Sequence, residues 1–147
     1  MPVPVFVPMP LLRAVAASLA AGFLCLGPAH AQDERAQAVC AEAEERYGEI
    51  FGRPSADEPF TVVLMYQSAF CPVDVTVKRG DQVRWVNVEK RTSHSIWFED
   101  AGLPESERVF PEENIDMTVD LPAGEHRYLC GPHWERQNMI GRLTVVE

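Results

Sequence analysis

The sequence predicts an all-β protein, a Greek-key β-sandwich, with one extra amphipathic α-helix at its N-terminal side. Three observations carry that reading. Beyond Pro59 the chain divides into about seven short β-rich runs separated by turn residues. One of them, Val73, Val75 and Val77 alternating with Asp74, Thr76 and Lys78, has the period of two of a half-buried strand. Before Pro59 the apolar residues recur instead at intervals of three and four, the period of a helix.

Taken in order, residues 1–31 contain no acidic residue and one cation, Arg13. An Ala/Leu-rich stretch from Leu11 to Leu26 leads through Gly27-Pro28 to Ala29-His30-Ala31. A basic start, an apolar run and a small-x-small exit predict a bacterial secretory signal peptide, and so a periplasmic product. A membrane anchor is the weaker reading, because the apolar run is short for a span. Cys25 leaves with that segment. Removing 31 of the 147 residues would leave 116, and losing Arg13 would take the formal charge from −9 to −10.

Residues 32–59 are expected to form the helix and a linker. Ala36, Val39, Cys40, Ala43, Tyr47, Ile50 and Phe51 make one apolar stripe, and Gly52 and Pro54 stop the helix in the expected order. Residues 60–147 are expected to form the β domain. Strands are predicted at Phe60–Gln67, Val73–Lys78, Val83–Val88, Ser93–Phe98, Ile115–Leu121, Glu125–Cys130 and Ile140–Val146. Arg79-Gly80-Asp81 reads as a turn. The connection from Glu99 to Asn114 carries six acidic residues and reads as a solvated loop, with a docking surface for a cationic partner as the alternative.

Charge narrows the partners. Thirteen Lys and Arg against 22 Asp and Glu make a surface that repels nucleic acid and anionic membrane. After removal of the first 31 residues three cysteines remain: Cys40, Cys71 and Cys130. An odd number in an oxidising compartment leaves one free, reactive or metal-bound.

The chemistry concentrates near the C-terminus. Cys130-Gly131-Pro132-His133 is followed after five residues by Met139, and His94 begins the run His94-Ser95-Ile96. A thiolate, two imidazoles and a thioether are a soft-to-borderline donor set. Two His and one Cys with a weak axial Met suit a mononuclear electron-transfer copper site. Singly, each residue has a duller role: a buried Cys is a small hydrophobe, a lone His is hydrogen-bonded or solvated, and a Met fills core space.

The pattern Pro72-x-x-x-Thr76-Val77-x-x-Gly80-Asp81-x-Val83-x-Trp85-Val86-Asn87, then His94-Ser95-Ile96, then Tyr128-x-Cys130-x-x-His133, resembles the cupredoxins. Its nearest likeness is to the plastocyanin, pseudoazurin and amicyanin type, and the ending Met139-Ile140-Gly141-Arg142-Leu143-Thr144-Val145 is similar to the close of that group. The resemblance covers residues 60–147. It implies one copper ion cycling between Cu(I) and Cu(II), with His94, Cys130 and His133 as equatorial ligands and Met139 as axial ligand. It implies that Ser95 ties the two ligand loops together, that Asn87 ends the strand leading to His94, and that Trp85 is buried. His126 is read as structural.

Three departures from the family pattern stand out. Five residues, Trp134 to Asn138, separate His133 from Met139, against four in plastocyanin and pseudoazurin and two in amicyanin. That puts the copper–thioether distance, and hence colour and potential, outside what the resemblance fixes, and leaves Gln137 as an alternative axial donor. The apolar rim around the C-terminal His is represented by Trp134 but interrupted by Glu135 and Arg136. Leu129 stands where plant plastocyanins carry the tyrosine of a second port. With Cys130 assigned to metal, Cys40 and Cys71 are expected to pair as a disulfide, two free thiols or a second metal site being the alternatives.

The resemblance therefore implies a monomeric periplasmic electron carrier and not an enzyme. Its partner would be a redox protein, a dehydrogenase or cytochrome, with a basic docking surface. A periplasmic copper-binding or copper-tolerance protein is the alternative, weakened by the lack of His- or Met-rich tracts. A metal-free interaction module would leave the odd cysteine unexplained.

Overall fold

The computed structural model describes residues 28–147. The predicted signal segment lies outside them except for Pro28–Ala31, which open the first helix, α1 (Pro28–Phe51). Proline is suited to a first helical turn, where its missing N–H would have no partner. The helix thus starts earlier than its apolar stripe suggests. It ends at Gly52, whose φ of 74° is the left-handed conformation glycine adopts without cost.

Seven strands follow: β1 (Thr61–Tyr66), β2 (Ala69–Cys71), β3 (Asp74–Lys78), β4 (Gln82–Asn87), β5 (Asn114–Thr118), β6 (Gly124–Leu129) and β7 (Ile140–Val146). A one-turn helix, α2 (Trp134–Gln137), lies between the last two. The strands form two sheets, ordered β2-β1-β4-β5 and β3-β7-β6. The predicted sandwich is present, with mixed pairing: β1 runs parallel to β4 and β3 parallel to β7, while the other pairs are antiparallel.

The sheets face each other across a core that includes Val63, Met65, Phe70, Val75, Val77, Val83, Trp85, Tyr128, Leu143 and Val145. Alternation decides which side chains enter it. In β3 only the valines are buried, as the period of two predicts. In β1 the alternate residues Leu64 and Tyr66 point the other way and are buried too. They meet Ala43 and Tyr47 of α1, with Cys71, Val86 and Val88, in a second apolar cluster. The outer face of β1, β2 and the end of β4 is therefore covered as well, whereas Asn114, Asp116 and Thr118 of β5 stay exposed, and the first strand reads as a continuous apolar run.

Three devices hold α1 on the sheet. Cys40 is disulfide-bonded to Cys71, as expected, with Cα atoms 5.2 Å apart. Tyr66 Oη donates to Glu42 Oε1 and Tyr47 Oη to Glu58 Oε1, each at 2.6 Å. Arg46 donates to the Val88 carbonyl and lies over the Tyr66 ring.

Two elements differ from expectation. β2 is an unpredicted strand, joined to β1 through Gln67 and Ser68, both with positive φ. Neither is the Asn or Gly that usually marks such a turn. Residues 93–98, predicted as a strand, form only two isolated bridges, His94 with Val109 and Trp97 with Leu129. The segment pairs first with the acidic connection and then with β6, so its two ends bond different neighbours. That pairing places His94 beside the end of β6.

Candidate metal centre

Cys130 follows β6 directly. Its N–H donates to the Met139 carbonyl at 3.1 Å, extending the pairing of β6 with β7 by one step. The chain then turns through Gly131 and Pro132. The Cys130 carbonyl accepts from the N–H groups of His133 and Trp134, both at 2.9 Å, which fixes His133 at the entrance of α2. Asn138, at φ 53°, ends α2 in the left-handed region and returns the chain to Met139. The additional loop residue is absorbed in one helical turn.

His94 is brought from the other side. Asn87, fully buried at the end of β4, donates through Nδ2 to the carbonyls of Thr92 and Val109 at 2.7 and 3.0 Å. Its Oδ1 accepts from Glu89 N. One amide side chain thus clamps the loop ahead of His94 onto its bridge partner. His94 and Val109 exchange both backbone hydrogen bonds, at 3.1 and 2.9 Å.

The result is convergence. His94 Nδ1 lies 3.4 Å and His133 Nδ1 3.3 Å from Cys130 Sγ. The three donor atoms lie within 4.8 Å of one another. Cys130 is the free cysteine among the described residues, and it is fully buried. Both imidazoles turn the same nitrogen toward the sulfur, and the His94 Nε2 behind it has no hydrogen-bond partner. Its nearest carboxylate oxygen, Glu89 Oε1, is 3.8 Å away and instead accepts from Gln67 N. Met139, 1% exposed, packs in the same apolar cluster as Cys130. Gln137 is exposed and lines a surface groove with Gln32 and Arg35 of α1, away from this cluster.

Electrostatics favour neutral imidazoles and a reluctant thiol. Burial, reinforced by the charge of His133, lowers His94 to about 4. Burial also lowers His133, with Arg108 adding to it and Glu89 opposing it. Cys130 is pushed up to about 11 by burial, against the backbone N–H groups of Ser95 and His133 that stabilise its thiolate. Two neutral imidazoles suit a soft or borderline cation, and such a cation replaces the thiol proton. Sulfur–nitrogen separations of 3.3 and 3.4 Å would let Cys130, His94 and His133 hold one ion in common. The donor set fits a copper ion.

The supporting residues fall largely where the sequence puts them. Ser95 Oγ accepts from Gly131 N at 3.1 Å, tying the two ligand segments together, and Trp85 and Tyr128 are fully buried. His126 bonds the Pro122 carbonyl at 2.7 Å and stays away from the centre. The predicted solvated loop is exposed at all six of its acidic residues, two of which are nevertheless held. Its Asp100 pairs with Arg127, and its Glu105 accepts from Ser95 Oγ. It also carries Phe110, 59% exposed and next to the bridge partner of His94. No sequence signal marked Glu105 or Phe110, since both stand in an acidic run whose partners are distant in the chain.

Comparison with known proteins agrees with this geometry. Residues 64–146 match the family of copper-binding proteins described as plastocyanin/azurin. A plastocyanin of Synechococcus sp. is 30% identical over 110 residues, covering 65% of this chain and 79% of the relative. A plastocyanin of Nostoc punctiforme is 30% identical over 91 residues, covering 52% of this chain and 64% of the relative. Among solved structures, a reduced, Cu(I) form of an amicyanin variant superposes with a TM-score of 0.52 at 25% identity, over 63% of this chain and 89% of the other. A copper-containing nitrite reductase from Thermus scotoductus has a TM-score of 0.53 at 21% identity over 65% of this chain and 24% of its own; it shares the fold.

Proposed function

The chain belongs to the plastocyanin/azurin family of copper-binding proteins, and on that premise we propose that it is a one-electron carrier with His94, Cys130, His133 and Met139 as its copper ligands. The observation that carries the reading is the approach of two imidazole Nδ1 atoms to the Sγ of the buried free cysteine, at 3.3 and 3.4 Å. Bound copper supplies exchange of a single electron between Cu(I) and Cu(II).

The chain's own residues do the rest. His94, Cys130 and Met139 are buried and keep water from the donors, whereas His133 is half-buried, so its outer edge faces a partner. Half-buried Pro132 and Trp134, its chain neighbours, give that edge an apolar surround. Backbone bonds on both sides of each ligand hold the donors in one arrangement, which keeps reorganisation between redox states small. Four protein donors leave no open position for a substrate, which favours a carrier over an enzyme.

The partner is a redox protein, a dehydrogenase or cytochrome, and an excess of acidic residues favours one with a basic docking surface. Residues 1–31 would direct the chain to the periplasm. No helix among the described residues is long and apolar enough to cross a membrane.

Copper reconstitution followed by a visible spectrum and a redox titration tests the proposal. An intense thiolate-to-copper band lost in Cys130→Ala, with reversible one-electron cycling and no copper release, is the expected result. A colourless copper complex, or a band that survives the substitution, would overturn the ligand set. Copper lost on each reduction would favour sequestration over electron transfer.

A further inference from the structure

Glu105 belongs to the acidic connection after the His94 segment, and the sequence gives it no role beyond solvation. The residue is exposed, yet its carboxylate hydrogen-bonds a buried hydroxyl. Ser95 Oγ donates to Glu105 Oε1 at 2.6 Å while accepting from Gly131 N at 3.1 Å, and Ser95 is fully buried. The carboxylate also lies against Gly131, where a Cβ would come within 1.8 Å of Oε1 and 2.4 Å of Cδ. Its backbone neighbour is held in place as well: Ser106 N donates to the Ile96 carbonyl and Ile96 N donates to Ser106 Oγ, both at 2.9 Å. Three chain segments therefore meet at one carboxylate: that of His94, that of Cys130 and His133, and the acidic connection.

We propose that Glu105 is a positioning residue: through Ser95 it locks the Cys130–His133 loop to the His94 segment, and its fixed negative charge lowers the reduction potential of the copper centre. The proposal rests on the ligand set given above.

The hydrogen bonds run in one direction, from Gly131 N–H to Ser95 Oγ and from Ser95 O–H to the carboxylate. An ionised acceptor at the end of such a chain strengthens each link. A serine hydroxyl alone rotates freely, and the carboxylate fixes its proton so that the lone pairs face Gly131. The carboxylate lies against Gly131, the chain neighbour of Cys130, so its field reaches the sulfur. Oxidation to Cu(II) adds one positive charge at the centre, which a nearby anion stabilises, so the potential falls. Glycine at 131 leaves the room the carboxylate occupies. A glutamate that served only to close its own loop would affect stability and leave the potential where it was.

Two variants of the full chain separate charge from positioning. Glu105→Gln keeps an oxygen that accepts from Ser95 and removes the charge, whereas Glu105→Ala removes both. The readouts are the midpoint potential of the copper-loaded protein and amide hydrogen exchange at Gly131 in the copper-free protein. For Glu105→Gln the one-electron equilibrium should shift toward Cu(I) by about tenfold, ~59 mV upward, with Gly131 protected as in the parent. For Glu105→Ala a similar rise should accompany at least ~10-fold faster exchange at Gly131. A Glu105→Gln potential equal to the parent's would overturn the electrostatic role. Unchanged Gly131 protection in Glu105→Ala would overturn the positioning role. The parent protein serves as the control for the ligand set, because failure of that set appears there as the missing thiolate band.

Discussion

The disulfide between α1 and β2 offers a quantitative test of how the N-terminal layer is held. Cys40 and Cys71 are 31 residues apart. Releasing a loop of that length from the unfolded chain removes about 3.7 kcal/mol by the chain-entropy relation at 25 °C. Replacing both residues by alanine also takes two sulfurs out of the cluster formed by Ala43, Tyr47, Leu64, Tyr66 and Val86, a further loss of about 1 kcal/mol. The double variant should therefore be about 4–5 kcal/mol less stable, a large share of the ~5–15 kcal/mol typical of a domain. Urea unfolding of the copper-free protein measures it, and the slope against urea should rise because the variant's unfolded chain exposes more surface. The copper-bound spectrum should not change, since the disulfide lies on the opposite face of the four-stranded sheet from the donor atoms. A loss below ~1 kcal/mol would show that α1 is held by packing alone and that the chain-entropy reasoning fails here. A shifted spectrum would show that the two faces are coupled, through Phe70, whose ring lies 4.7 Å from Tyr128.

Acid should act on the copper-free protein through His94. Its folded value of about 4 lies below the ordinary value of 6.5 because burial disfavours the cation. Between those values the unfolded chain binds the extra proton, so stability falls as pH drops through that window, by up to about 3 kcal/mol. Denaturant titrations from pH 7 to 4 measure the slope, which should flatten in His94→Gln; an equal slope in that variant sinks the assignment. Gly141→Ala probes the packing behind the ligand strand, since a Cβ there would lie 2.3 Å from Tyr128 Cζ. Tyr128 is fully buried, so the strain should cost about 1–3 kcal/mol. An unchanged melting temperature would mean that Tyr128 has room to move.

Most of the architecture was legible because local pattern and burial agree. The α1 stripe is periodic, and its members Ala43 and Tyr47 are buried, although Phe51 at the end remains 42% exposed. The alternation of β3 appears unchanged in its burial. What was hidden depends on distant neighbours. The turn at Gln67 and Ser68 contains no residue that favours its left-handed backbone, so β2 gave no signal. Residues 93–98 have strand-like composition, yet their partners lie in two different places, and a pattern read along the chain cannot show that. The residues that converge, His94, Cys130 and His133, were legible through spacing and chemistry together, and the helical fold of residues 134–137 was not, because a single helical turn leaves little periodicity to read. Glu105 was illegible for a plainer reason: its charge says solvent and the residue is exposed, so nothing along the chain shows that its carboxylate meets Ser95 and Gly131 across the fold.

Burial on both faces turns β1, β2 and the end of β4 into a partition. The clusters on its two sides share strands but not side chains. A fluctuation that lifts α1 wets Leu64, Tyr66 and Val86 while Trp85, Tyr128 and Cys130 stay dry. Such an opening costs less than global unfolding, so α1 amides exchange by a cheaper route than those of β6 and β7. The disulfide shortens the distance the lifted helix can drift. Loosening of the N-terminal layer would thus leave Cys130 shielded from water and oxidants.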